Sequence, residues 1–330
     1  MIALVQGIVR TRCVNLTLIS SAFKGDAENQ SIYRRFQRFF KEFDLPVADV
    51  ARVILSKIPK PAKGHVLCMD RTNWQLGKRH INILTVGILV GKVCIPIAWK
   101  VLPQSTKKGN SNFRQRIAVM ECLLEVIDAH DIRVLLMDRE FLGEEWLNWL
   151  DERDIAFILR IKKNTLISGV PVADLCSKPG PKTAKKQKIW GRELYLSHKK
   201  IGGGRESDLL VVSNRDCGKE ALELYRLRWG IELLFSHLKK RGFDLESTHM
   251  TDSKKLEKLM AVLSLSFLYT YGWGLQLRLL KKQTKALARK SDFRYGFEAI
   301  LRILLNPNEM NDRAEEFFDW VEHGTIPLSS

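Results

Sequence analysis

Between residues 65 and 161 short apolar runs alternate with stretches of helical spacing. Val66-Leu67-Cys68-Met69 is an unbroken apolar run of strand length, and 81–90 and 93–102 are two β-rich runs that meet at Gly91-Lys92, as a hairpin would. Helical spacing continues over 113–130, then come a second buried strand over 134–137, a helix over 144–152 and a fifth strand over 156–161. The order is β-β-β-α-β-α-β. On its N-terminal side, 1–60 reads as a small helical module, with Arg34, Arg35, Arg38 and Lys41 beside Ile32, Phe36, Phe39 and Phe40 in the stretch 26–42. Pro59-Lys60-Pro61 reads as a linker. Beyond the fifth strand, 162–214 reads as a β-rich insertion, with a loop from Pro179-Gly180-Pro181 to Lys188 between β-type runs at 189–196 and 209–212. Residues 219–241 have the spacing of one long helix, and helical patterns continue after 254. The expected organisation is a helical module over 1–60, an α/β core over 61–254 and a helical C-terminal region over 255–330.

The strand order of the core matches that of a ribonuclease H-like fold, a mixed sheet with acidic residues on the first strand and just past the fourth. Asp70 and Asp138 occupy those two places. Strands one and four are neighbours in such a sheet, so carboxylates far apart in sequence meet at adjacent strand ends, where open α/β sheets place their sites. Glu140 is expected to face away from Asp138 along an extended segment. At about 100° per residue, Tyr225, Arg228, Glu232 and Lys239 fall within an arc of roughly 60° on the 219–241 helix. Leu224, Leu227, Ile231, Leu234 and Leu238 form the neighbouring apolar stripe. Packed by that stripe, the helix presents a carboxylate toward the strand ends. Asp244, just past the helix, ranks with Glu140 below these positions.

Charge narrows the choice of partner. Lys and Arg number 54 against 37 Asp and Glu, a formal net charge of +17, which favours a polyanion such as nucleic acid over a merely solvated basic surface. The six cysteines form no CxxC pair and mostly lie in apolar surroundings, so they read as reduced core residues of a cytoplasmic protein. The most apolar late stretch, 259–277, is interrupted by Ser264, Ser266, Tyr269, Thr270, Gly272 and Gly274, which suits a buried helix better than a membrane span.

The spacing Tyr-x2-Arg-x3-Glu-x6-Lys at Tyr225, Arg228, Glu232 and Lys239, with Asp-Arg-Thr-Asn-Trp at 70–74 and Asp-Arg-Glu-Phe at 138–141, resembles the DDE transposases of bacterial insertion sequences, in the fourth insertion-sequence family. The resemblance extends over nearly the whole chain. It implies cut-and-paste transposition: metal-dependent hydrolysis at the element's ends, then attack of the freed 3′-OH on target DNA. Related groups form a hairpin on the flanking strand with help from a stacking aromatic, for which Trp190 and Trp229 are both candidates. Family members often carry further residues ahead of the N-terminal module, and loss of such residues would weaken end recognition more than chemistry.

In-line displacement at a phosphodiester needs an activated nucleophile and a neutralised leaving oxygen, which two Mg2+ ions about 4 Å apart supply together. Carboxylates suit such hard cations, and Mn2+ can substitute. On the resemblance, Asp70 bridges the ions while Asp138 and Glu232 each bind one. Singly, each carboxylate has a plainer reading: Asp70 and Asp138 as strand-end partners of the arginines next to them, Glu232 as a solvated helix residue. Arg228 suits bidentate phosphate binding, or pairing with Glu232, and Lys239 suits a point contact. Tyr225 either bonds a phosphate or is a core aromatic. Arg71, Thr72 and Asn73 are placed to touch DNA near the cut, Asn73 equally to shape a turn. His237 reads as structural. Arg34, Arg35 and Arg38 are expected to clamp the terminal inverted repeats, with the protein a homodimer on double-stranded DNA in the nucleoid and no part in a membrane. The rival functions are a metal-dependent nuclease on the same fold and a decayed transposase that binds DNA as a repressor.

Overall fold

The computed structural model describes residues 1–23, 27–103, 111–167, 169–176, 182–200, 208–280, 290–306 and 311–327. Its centre is a mixed sheet. β1 (His65–Leu76) pairs antiparallel with β2 (Arg79–Val90), which pairs antiparallel with β3 (Val93–Val101). On its other side β1 runs parallel to β4 (Ile132–Met137), and β4 parallel to β5 (Phe157–Arg160). The runs 66–69 and 134–137 are buried throughout, as expected for adjoining parallel strands covered on both faces.

The β-rich stretch 162–214 continues this sheet. After a two-stranded ribbon, β6 (Leu166–Ile167) with β7 (Val170–Pro171), and a short helix α7 (Val172–Leu175), the chain forms β8 (Lys182–Ile189), β9 (Arg192–Lys200) and β10 (Asp208–Ser213). β10 pairs antiparallel with β5, so the strand order is β3-β2-β1-β4-β5-β10-β9-β8. The expected loop at Pro179-Gly180-Pro181 lies outside the described residues, as does Asp26 at the start of the basic stretch 26–42. Lys188, expected in that loop, belongs to strand β8.

Helices cover the sheet. α5 (Phe113–Leu124) starts from a capping box in which Asn112 and Gln115 satisfy each other's backbone N–H groups. α6 (Glu144–Glu152) buries Trp146 and Trp149. α10 (Ser253–Leu280) is apolar nearly all round and packs against β3. Its serine hydroxyls are satisfied inside the helix: Ser264 donates to the Met260 carbonyl and Ser266 to that of Val262, both at 2.8 Å. α10 crosses α11 (Asp292–Leu305) where Gly274 meets Gly296, a contact with no room for a Cβ on either side. Among the described residues no helix is long and apolar enough to cross a membrane.

Four helices precede the sheet: α1 (Ile2–Thr11), α2 (Leu16–Ser21), α3 (Asn29–Glu42) and α4 (Val47–Lys57). α1, α3 and α4 pack on α10, α1 also on α11 and α4 on β3, while α2 packs on α1 and α3. Polar ties reach the C-terminal helix α12 (Asn311–His323) and the residues just beyond it: Lys57 Nζ donates to the Glu322 carbonyl at 2.9 Å, and Ile326 N–H to the Lys57 carbonyl at 2.7 Å. The basic face of α3 is as expected: Arg34, Arg35 and Arg38 are exposed while Phe36 and Phe40 are buried. Among the described residues no cysteine is in a disulfide.

The stretch 219–241 is two helices rather than one. α8 (Glu220–Arg226) and α9 (Trp229–Leu238) are joined through Leu227 and Arg228, where the bonds tighten to the i−3 pattern: Leu227 N–H to Leu224 at 3.0 Å and Arg228 N–H to Tyr225 at 3.0 Å. Periodicity alone does not reveal such a turn, because both dihedrals stay right-handed helical. Just past it Gly230 is packed tightly: a Cβ there would stand 2.7 Å from Leu89 Cδ1 and 3.2 Å from the Lys92 carbonyl oxygen. Only glycine lets α9 lie this close to the β2–β3 turn.

Candidate active site

The β1–β4 ladder ends at the pair Met69 and Met137. The next residue on each strand is an aspartate, so Asp70 and Asp138 stand side by side. β1 continues beyond Asp70, paired with Thr85 of β2, whereas β4 stops and the chain turns through a 3-10 segment, Arg139–Phe141. Asp70 therefore lies in the fork where β4 leaves β1, within a longer strand than its apolar run suggested. Its side chain is 20% exposed and that of Asp138 is 30% exposed, so both can meet a ligand.

α8 and α9 close the third side. Tyr225 Oη donates to Asp138 Oδ1 at 3.4 Å. Arg228 spans two acids: Nη1 donates to Asp70 Oδ2 at 3.1 Å, and Nη2 to Glu232 Oε1. Asp70, Asp138, Glu232, Tyr225 and Arg228 thus form one connected cluster. Lys239, just beyond α9, stands at its edge, with Nζ donating to the Asn73 carbonyl at 2.8 Å and facing Glu246 Oε1 at 2.9 Å.

Other predicted residues are placed differently. Glu140 does not turn away, because the segment after Asp138 is a turn and not an extended strand. Its carboxylate takes a two-pronged pair from Arg71, Nε at 2.7 Å and Nη2 at 2.6 Å. Thr72 is buried and Asn73 exposed. His237 is packed against the Phe293 ring at 4.4 Å between centroids, as a structural residue would be. Arg34 and Arg38 line a cleft of about 1150 Å3 between α3 and residues 248–255, with Lys41, His249 and Lys255. Arg35 is exposed beside it.

Two residues escaped sequence reasoning. Arg160, at the end of β5, brings Nη1 to 4.0 Å from Asp138 Oδ1, and its signal was that it ends the strand next to β4. Arg116 is buried on α5 and donates to the carbonyls of Glu140 at 2.8 Å and Leu142 at 3.3 Å, holding the turn after Asp138. Nothing in the helical spacing of 113–130 marks an arginine as inward.

The electrostatics arise from one cation serving several acids. Burial is the largest influence on Asp70 and pushes its pKa up to about 6, against the 2.8 Å hydrogen bond from the Arg71 N–H and the charge of Arg228. Burial works the other way on Arg228, yet its acidic partners Asp70 and Glu232 help hold its pKa above the ordinary arginine value. Arg228 stays a cation, and Asp70 has only a share of it. Burial raises Tyr225 also, so its phenol keeps its proton for Asp138. Arg116 is lowered to about 10 by burial and remains charged at neutral pH.

Asp70 and Glu232, paired to one cation, with Asp138 beside Asp70, are an all-oxygen donor set, the kind that hard divalent ions take. Arg228 is the observation that tests the fit: one guanidinium reaches both Asp70 and Glu232, so these acids stand close enough to share a positive charge. Among the described residues, the one trio of His, Cys, Asp or Glu whose ligand atoms all lie within 4.8 Å is Asp128, His130 and Asp131. It precedes β4, whereas Asp138 comes after it, a separation of roughly 20 Å along a six-residue strand. Asp131 is paired there with Lys60.

Residues 61–268 match the family described as "Transposase DDE domain". The chain belongs to this family. The match begins just ahead of β1, ends within α10, and so spans the whole acidic cluster and Lys239 of this DDE domain. DDE transposases act on DNA and generally use divalent metals. No curated protein matches the chain. Among solved structures it is similar to the crystal structure of an endonuclease V from Bacillus subtilis, at 10% identity and a TM-score of 0.33, over 66% of this chain and 94% of that one.

Proposed function

We propose that this DDE-family chain is the transposase of an insertion sequence of the fourth family, cutting DNA at the element's ends and joining the freed 3′-OH to target DNA. The observation that supports this most is the convergence of Asp70, in β1 where its ladder with β4 ends, and Asp138, just past β4, with Arg228 at the α8–α9 junction and Glu232 on α9. Asp70, Asp138 and Glu232 would hold two Mg2+ ions, or Mn2+, which when bound activate the attacking oxygen and neutralise the leaving one.

The remaining roles belong to the chain's own side chains. Tyr225 orients Asp138 through its hydroxyl. Arg228 grips a phosphate at the cut and Lys239 contacts the strand beside Asn73, while Arg71 shapes the site through Glu140. Arg34 and Arg38, in their cleft, and Arg35 beside it hold the terminal repeat. Trp229 suits an unstacked base better than Trp190: it is 59% exposed and lines a recess of about 410 Å3 with Tyr225 and Arg228. Two ends must be brought together, so the protein acts as a homodimer on DNA.

The test is nicking of a plasmid carrying the element's ends, with and without Mg2+ or Mn2+, using the natural protein and Asp138→Asn. Metal-dependent cleavage at the ends, with subsequent joining to a second DNA and abolished by the substitution, is the expected result. Cleavage without joining would instead make the protein a nuclease. End-specific binding without cleavage would make it a repressor derived from a transposase.

A further inference from the structure

Arg228 lies where a cation is needed and where the proposed metal ligands converge. Its guanidinium ties Asp70 to Glu232 from a side chain only 10% exposed. In that seat Nε is buried and has no hydrogen-bond partner among the described residues, so the seat leaves one strong donor unsatisfied. Lys239, the other cation of the helix pair's polar line, is held away by Asn73 and Glu246.

We propose that Arg228 is the site's own counter-cation, which bridges Asp70 and Glu232 in the metal-free protein and must leave them when a divalent ion enters, becoming free to bind a DNA phosphate. This rests on the reading of Asp70, Asp138 and Glu232 as metal ligands. A divalent ion takes carboxylate oxygens at about 2.0–2.6 Å. A guanidinium on those same oxygens competes for their lone pairs and repels the incoming charge. Displacing it strips a buried cation of its partners, a cost that opposes metal binding until a new anion is offered. Phosphate is that anion, and it suits both the fork and the unsatisfied Nε. Metal and DNA therefore bind cooperatively, each raising the affinity of the other by one shared factor. A free protein carrying a loaded metal site is disfavoured.

A residue that merely steadied Glu232 would behave in the opposite way, because its removal would loosen the site and weaken metal binding. The experiment is titration of the full chain with Mn2+, reading free Mn2+ by electron paramagnetic resonance, with and without a short DNA duplex carrying an element end. Natural protein is expected to bind Mn2+ more tightly when DNA is present. Arg228→Gln is expected to bind it on the order of tenfold more tightly than natural protein when DNA is absent, and to lose the gain from DNA. Arg228→Lys, which keeps the charge but has no fork to span both acids, is expected to shift the same way by less, and it carries the test if the glutamine variant does not fold. Equal or weaker Mn2+ binding by these variants without DNA overturns the proposal. Asp138→Asn separates the two levels. If it leaves Mn2+ binding unchanged, the metal-ligand reading fails. If it weakens binding while the Arg228 variants do not tighten it, only the counter-cation fails.

Discussion

Met69 and Met137 form the last pair of the parallel β1–β4 ladder, and that one pairing sets Asp70 beside Asp138. Neither methionine touches chemistry. Because side chains alternate along a strand, a slip of one residue in this register would turn one aspartate away from the other.

Gly230→Ala is expected to lower stability by about 1 kcal/mol, although alanine is ordinarily the better helix former. The new Cβ would come within 3.2 Å of the Lys92 carbonyl oxygen as well as 2.7 Å of Leu89 Cδ1, and a hairpin backbone yields less readily than a leucine tip. Cleavage should suffer more than stability, since the same displacement moves Glu232. Urea unfolding and plasmid nicking on one preparation measure the two effects.

Glu140→Ala is expected to cost roughly 2 kcal/mol, between the limits for exposed and buried ion pairs, because it leaves Arg71 with a side chain 12% exposed and without its two-pronged partner. Glu140→Gln should recover part of the loss by accepting one of the two bonds. Denaturant midpoints of the three proteins decide it.

Asp70→Asn is expected to abolish cleavage without lowering the thermal midpoint of the metal-free protein. Burial raises the folded pKa of Asp70 to about 6 from an ordinary 3.8. Between those values the folded state binds the proton more tightly, so this group's contribution to stability declines as pH rises from about 4 to 6. Asparagine removes that penalty at neutral pH. A large drop in midpoint for the variant at pH 7.5 would contradict it.

His237 acts with the opposite sign over nearly the same range. Burial, with Arg241 nearby, lowers its pKa to about 4 from 6.5. The unfolded chain then binds the proton more tightly, and stability is lost as pH falls from about 6.5 toward 4. His237→Gln should flatten that part of the profile, whereas Asp70→Asn should steepen it. Melting curves at pH 7.5 and 5 for each single variant separate the two groups.

Arg34→Gln and Arg38→Gln are each expected to reduce the slope of log affinity against log salt for DNA by about 1. Cleavage of DNA already bound should be little changed. Fluorescence anisotropy across a salt series measures the slope, and an unaltered slope would remove the α3 cleft from the DNA path.

Much of this protein is legible along the chain because its signals are local. Apolar runs such as 66–69 and 134–137 announce strands buried on both faces, and the spacing of Tyr225, Arg228 and Glu232 places them on one line of a helical segment, since periods of 2 and 3.6 are properties of a few consecutive residues. What stayed hidden depends on contacts between distant segments. The break at Leu227 and Arg228 adjoins Gly230, which packs against the β2–β3 turn. Glu140 is drawn to Arg71 by a turn that an extended reading could not anticipate, and buried Arg116 finds its partners in the carbonyls of residues 140 and 142 as well as in Ser111. β10 joins the sheet beside β5, a pairing that the β-rich pattern of 162–214 does not specify. In each case several backbone courses suit the local pattern about equally well, and the choice is made by hydrogen bonds and packing with segments dozens of residues away.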